Sequence, residues 1–308
     1  MRGNTTAQRS NKVMSERDRE ALQLCEIGLQ HMWRGEVEDA IEVYDRALAI
    51  AESEEHRELI TIRKAEALIA ADREGPEVSM LPGIVMRRRS QRHLYMAATV
   101  LMRRFVENDD RRRAIFYGEI ARGAVAELND SFARASLLNH LGITLVADSQ
   151  FDTAIDALDE ALDAITSLDE RRDGVAPLRA SILGNIGGAK VLFGKVAEGV
   201  QILEEVLPLL DADDYQHAEI CLDLCFGYLE LERYDIAESY GRRALKLASH
   251  KRQVRNANHL LGEICLRLSR YDESDAFFDV VAGFYPEFKN VKQLLVAVDL
   301  CAVVNWKA

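Results

Sequence analysis

Apolar and polar positions along this chain alternate at a helical period. VEDAIEVYDRALAIA (37–51), FDTAIDALDEALDAI (151–165) and YDIAESYGRRALKLA (234–248) each place apolar residues three and four apart, which makes one stripe on a helix. All three share one skeleton: an apolar residue, two variable positions, Ala, six further positions, then Ala-Leu. The pattern predicts helices near 16–34, 37–53, 57–72, 84–107, 110–128, 132–147, 151–168, 175–193, 196–210, 214–231, 234–249, 254–268, 271–284 and 289–305. Residues 1–14 are polar and expected to form a disordered tail. Helix 289–305 is expected to cap the array. The stretch REGPEVSMLPGIVMRRRSQRHL (73–94) carries Pro76, Pro82, Gly75 and Gly83 where a second helix belongs. It is expected to interrupt the array as a loop, or to hold a helix that begins late, near Ile84.

Self-similarity extends upstream of each skeleton. Twelve residues before Ala40, Ala154 and Ala237 stand Gly28, Gly142 and Cys225, all small. Weaker copies pair Gly187 with Gly199 and Gly262 with Ser274, and AIFYGEIA (114–121) echoes AESYGRRA (237–244). Successive anchors Ala114, Ala154, Gly199, Ala237 and Ser274 lie 40, 45, 38 and 37 residues apart, and Ala40 to Ala114 is 74. Two antiparallel helices approach closely only where small side chains meet, so Gly and Ala mark the crossing. One hairpin cannot hide its own apolar face, and neighbours must stack on it.

These positions resemble the tetratricopeptide repeat family: Gly28, Val37, Ala40 and Ala47; Gly142, Phe151, Ala154 and Ala161; Cys225, Tyr234, Ala237 and Ala244; and Gly262, Tyr271, Ser274 and Pro286. The resemblance covers most of residues 20–288. It implies an all-α, right-handed α-solenoid of stacked helix-turn-helix repeats over 15–288, followed by the cap at 289–308. It also implies that the first helix of each hairpin lines a concave groove suited to a peptide or a partner helix. Mapped onto this chain, the groove positions include Asn139 and Ile143, then Ser181, Gly184 and Gly188, then Glu219, Leu222 and Phe226, then His259 and Glu263. The chaperone-binding members grip a C-terminal carboxylate with Lys and Asn, and Asn139 alone matches here. The same groove residues could equally pack on neighbouring helices.

Composition narrows the function classes. A chain of 308 residues can bury a sizeable core without disulfides or metal. Its net charge of −12 opposes general affinity for nucleic acid and for anionic membranes. The five cysteines are scattered and odd in number, which suits a reducing cytoplasm. The N-terminal twenty residues lack the apolar core of a signal peptide, and LLVAVDLCAVV (294–304) is too short to span a bilayer. A soluble cytoplasmic protein is expected.

Candidate chemistry is sparse. His217, Cys221 and Cys225 recur every fourth residue on one helical face, but zinc takes four ligands, and the two cysteines fall at packing positions. GNIGGAKVLFG (184–194) is Gly-rich without a preceding strand or a closing Gly-Lys-Ser/Thr, so no phosphate loop is expected. Gly184 and Gly188 fit either close helix packing or the close approach of a bound peptide. Pairs such as Asp156 and Glu160, or Glu204 and Glu205, belong to solvated helix faces, and no catalytic triad pattern has local support. No cofactor, metal or catalysis is expected.

The strongest charge feature runs from 87 to 113, where nine Arg face three acids. Arg88, Arg92 and Arg103 share one helical stripe. That stripe is a solvated face balancing acidic neighbours, a docking patch for an acidic partner or, less favoured, a nucleic-acid site. Two functions therefore stay open: a non-catalytic protein- or peptide-binding scaffold, or a peptide-sensing bacterial regulator that acts through a partner.

Overall fold

A computed structural model describes residues 14–34, 36–210, 215–248 and 250–297. Among these residues the regular structure is helical, with no strand. The chain divides into two compact units, one up to Leu128 and one from Asn129. The first unit holds three hairpins: α1 (Glu16–Trp33) with α2 (Val37–Ile50), α3 (Glu54–Ala70) with α4 (Pro76–Arg87), and α5 (Gln91–Glu107) with α6 (Arg111–Ala126). The second unit holds four: α7 (Ser131–Ala147) with α8 (Phe151–Thr166), α9 (Val175–Leu192) with α10 (Val196–Val206), α11 (Tyr215–Glu230) with α12 (Tyr234–Leu247), and α13 (Lys251–Arg267) with α14 (Tyr271–Ala282). A 3-10 turn, Leu207–Leu209, extends α10, and a short α15 (Val291–Ala297) follows α14. Each unit is a helical-repeat stack, so the architecture is an all-α solenoid.

One physical rule builds every hairpin. A Cβ on Gly28 would lie 2.5 Å from the Tyr44 ring, one on Gly142 would lie 2.5 Å from Leu158, and one on Gly262 would lie 2.5 Å from Phe278. In each case the large residue follows the glycine by sixteen positions and fills the space that the missing side chain leaves. At the α11/α12 crossing the sizes are exchanged: Cys225 stands in the glycine position, and Gly241 stands where the others carry Tyr, Leu or Phe. A Cβ on Gly241 would meet Cys225 Sγ at 3.0 Å. Close approach needs one small partner, and either helix can supply it.

The stretch expected to interrupt the array does not. Helix α4 starts at Pro76 and runs through Pro82 to Arg87, and α5 begins at Gln91 after a left-handed Arg88. Pro76 sits in the first turn, where an amide N–H has no helical partner to lose. Ala65 and Leu81, sixteen apart and both fully buried, keep the crossing register of the other hairpins. The expected tail falls on residues outside those described, apart from Met14, and so does the capping helix beyond Ala297.

The turns inside the six hairpins from α3/α4 to α13/α14 follow one geometry. Asp72, Asp109, Ser149, Gly194, Glu232 and Ser269 all take positive φ, between 52° and 89°. The N–H after each reaches back to a carbonyl five residues earlier, as in Arg233 to Tyr228 (2.8 Å) and Gln150 to Leu145 (2.9 Å). This is the C-terminal closure that glycine performs best. Glu232→Gly should therefore stabilise the chain by about 1 kcal/mol by relieving a left-handed non-glycine residue. Urea denaturation followed by far-UV circular dichroism measures it, and a loss of stability would contradict the geometry.

Candidate functional site

The first helices of the second unit, α7, α9, α11 and α13, present a connected run of polar side chains. Asn139 on α7 donates from Nδ2 to Ser181 Oγ on α9 (3.2 Å), and its Oδ1 accepts from Asn185 Nδ2 (2.8 Å). Ser181 Oγ also accepts from Gln216 Nε2 on α11 (2.5 Å). One turn further along α11, Glu219 Oε1 accepts from Arg252 (3.1 Å) and from Gln253 Nε2 (3.0 Å) on α13. Four helices are thus joined by side-chain amides, a hydroxyl and a carboxylate, where an apolar seam would serve packing equally well.

Against this run opens a cavity of about 150 Å³. Ile143, Val146 and Ile220 supply apolar lining, Ser181, Asn185, Gln216, Glu219, Asp223 and Arg252 polar lining, and Gly184 borders the cavity as well. A Cβ on Gly184 would meet Ile220 Cδ1 at 3.0 Å, so the bare glycine keeps the cavity open at α9. Ile143 is 44% exposed and offers an apolar surface at the cavity.

Sequence and structure agree unevenly on the candidate residues. Ile143, Gly184 and Glu219 line one cavity, whereas Asn139 is buried behind it, with Nδ2 and Oδ1 both engaged in the polar run. Leu222 and Phe226 are buried in the core between hairpins. The His259 ring packs edge-on against Phe278 of its own hairpin, at 6.3 Å between centroids. Gly188 and Glu263 are buried too. Asn185, Gln216, Arg252 and Gln253 were missed for a geometric reason. Helical side chains lean toward the N-terminus, so a given spot is covered by the residue one place further along. Asn185, just after Gly184, is the plain example.

The arginine stretch in the first unit is largely neutralised. Arg87 and Arg89 pair with Glu58 (3.1 Å) and Glu54 (2.5 Å), and Arg103 and Arg104 pair with Glu66 and Glu74. Arg111 and Arg113 pair with Asp109 (2.9 Å) and Asp110 (2.5 Å). Burial pushes the Glu66 carboxyl up, but Arg103 and Arg63 outweigh it and hold the group below the usual carboxylate range. Arg88 and Arg92 are exposed and make no ion pair among the described residues. Only part of the stripe formed by Arg88, Arg92 and Arg103 is therefore open.

Cys221 and Cys225 are fully buried, and burial pushes the Cys221 thiol up to about 11 and the Cys225 thiol further. Such thiols favour packing over thiolate chemistry. His217 lies 2.6 Å from an Arg243 guanidinium nitrogen, a cation that disfavours a metal there. No helix among the described residues is long and apolar enough to cross a membrane.

No family model matches the chain. An outer dynein arm-docking complex subunit 4 of Danio rerio is 27% identical over 154 residues, which are 49% of this chain and 30% of that protein. The chain thus matches under a third of that relative's length. Among solved structures, NprR in complex with its cognate peptide NprX superposes with a TM-score of 0.66 at 12% identity, over 94% of this chain and 84% of that one. A Rap protein complexed with Competence and Sporulation Factor gives 0.65 at 15% identity, over 92% and 79%. A tetratricopeptide repeat protein from Parabacteroides merdae gives 0.55 at 11% identity, over 90% and 98%. Small residues at each hairpin crossing, regular left-handed turns and these superpositions converge: the chain has the tetratricopeptide repeat fold.

Proposed function

We propose that this chain is a non-catalytic cytoplasmic scaffold that holds an extended peptide segment of a protein partner on the first-helix face of its second unit. The observation that carries the proposal is the run from Asn139 through Ser181 to Gln216, with Glu219 beside it, bordering an open cavity. An extended segment exposes unpaired backbone N–H and C=O groups, and the side-chain amides of Asn185 and Gln216, which line the cavity, can serve both. The likeness to NprR in complex with its cognate peptide and to a Rap conjugation gene regulator in complex with the Phr* peptide supports the same kind of occupant, through the fold alone. The paired arginines and the net charge of −12 support neither nucleic acid nor a membrane as partner.

Panning a library of random dodecapeptides on phage against the full chain tests the proposal. Ile143→Glu replaces a residue that is 44% exposed, and far-UV circular dichroism checks that the variant stays folded. It is expected to weaken the selected peptides at least tenfold, and Asn139→Ala to weaken them several-fold. Arg88→Glu with Arg92→Glu is expected to change binding less than twofold. Equal binding by wild type and Ile143→Glu would move the site elsewhere. A second function, a peptide-sensing regulator working through a partner, is favoured by the likeness to a Rap conjugation gene regulator in complex with a peptide. It requires the selected peptide to change the chain's shape, and small-angle scattering with and without peptide decides that.

A further inference from the structure

The cavity beside Gly184 is too small for a free ligand, because sites for whole small molecules run to roughly 300–1,000 Å³. At about 150 Å³ it is sized for one side chain of a longer segment. Its chemistry is two-sided. Ile143, Val146 and Ile220 offer a wall for methylene groups. The charged lining is Glu219, whose side chain is 16% exposed, with Asp223 and with Arg252, which is already paired to Glu219. Both donors to Glu219, from Arg252 and Gln253, sit on Oε1. Oε2 carries no hydrogen bond among the described residues. An aliphatic side chain filling the cavity would cover that charged oxygen without compensating it, which is unfavourable. An acidic side chain would be repelled. A long side chain with an apolar stem and a cationic head satisfies both walls.

We propose that this cavity is a specificity pocket for a single lysine or arginine side chain of the bound segment, its stem lying on Ile143, Val146 and Ile220 and its head on Glu219 Oε2. The inference rests on the peptide-binding function proposed above and adds the charge of the residue that is selected. Arg252 holds the opposite oxygen and fixes the carboxylate, so the pocket is already shaped for a second cation.

The test uses a synthetic pool of heptapeptides, acetylated and amidated at their ends so that no terminal amine competes, with the central residue varied over all twenty types and random flanks. The pool is passed over immobilised full-length protein, and the retained fraction is read by mass spectrometry. Wild type is expected to enrich central Lys and Arg at least tenfold over the isosteric neutral pairs Gln and Met. Glu219→Gln should cut that ratio below about threefold, and Gly184→Val, which fills the cavity, should remove it. Glu205→Gln, on the exposed face of α10, should leave the ratio as in wild type. Enrichment of acidic or aliphatic residues, a flat preference, or a Lys/Arg preference that survives Glu219→Gln overturns the pocket while leaving peptide binding intact. Wild type retaining no peptide at all overturns the peptide-binding proposal as well.

Discussion

Tyr44→Ala is expected to destabilise the chain by about 3–5 kcal/mol, the range for emptying a fully buried aromatic site. Tyr44 has no exposed surface, and its ring lies where a side chain on Gly28 would otherwise stand, 2.5 Å from that glycine's missing Cβ. The ring therefore is the contact between α1 and α2, and no neighbour can collapse into the space without moving a helix. Tyr44→Phe should do the reverse. The hydroxyl is buried with no hydrogen-bond partner among the described residues. Removing it deletes a desolvation penalty and should gain about 1 kcal/mol. Gly28→Ala, costly alone, should cost less in the Tyr44→Ala background, because the two positions share one space. Chemical denaturation followed by far-UV circular dichroism measures all four chains. Additive losses at 28 and 44 would mean that the crossing is not a matched pair.

Matched crossings also explain what was legible in the sequence. Gly28, Gly142 and Gly262 announce themselves because a glycine inside an amphipathic helix is conspicuous. Their partners Tyr44, Leu158 and Phe278 do not, since a large apolar residue is ordinary in any helix. The hairpin of α5 and α6 is hidden further by the exchange of sizes, with buried Met102 and Gly118 in the places that Gly28 and Tyr44 occupy. Pro76 and Pro82 read as breakers, yet the spacing of Ala65 and Leu81 shows the register passing straight through them. Proline position within a helix matters more than proline count.

The site was legible only in outline. A one-dimensional map assigns groove positions by helical period, so it selected Ile143, Gly184 and Glu219, which line one cavity, together with Leu222, Phe226 and His259, which do not. Leu222 and Phe226 share α11 with Glu219 and His259 lies on α13, but all three turn toward the packing between and within hairpins. Distinguishing the two faces needs the lean of each side chain and the identity of the next helix, and neither is written in the period.

Two glycines on neighbouring helices separate folding from binding. Gly199→Ala is expected to cost about 1–3 kcal/mol, the range for overpacking, although alanine is the better helix former by about 1 kcal/mol. Its Cβ would lie 2.5 Å from the Gly187 carbonyl oxygen and 2.8 Å from the Val191 backbone nitrogen. Those are backbone atoms, so α9 and α10 must move apart as rigid rods. Gly184→Ala meets only the tip of Ile220, at 3.0 Å, and a flexible side chain can give by that much. Its helix propensity then wins, and stability should be unchanged or rise by up to about 1 kcal/mol. Binding should move the other way. A methyl at 184 narrows the cavity, so peptides selected on wild type should weaken at least threefold. A Gly184→Ala chain of undiminished stability and weakened binding assigns that glycine to the site, while a stability loss matching Gly199→Ala assigns it to packing.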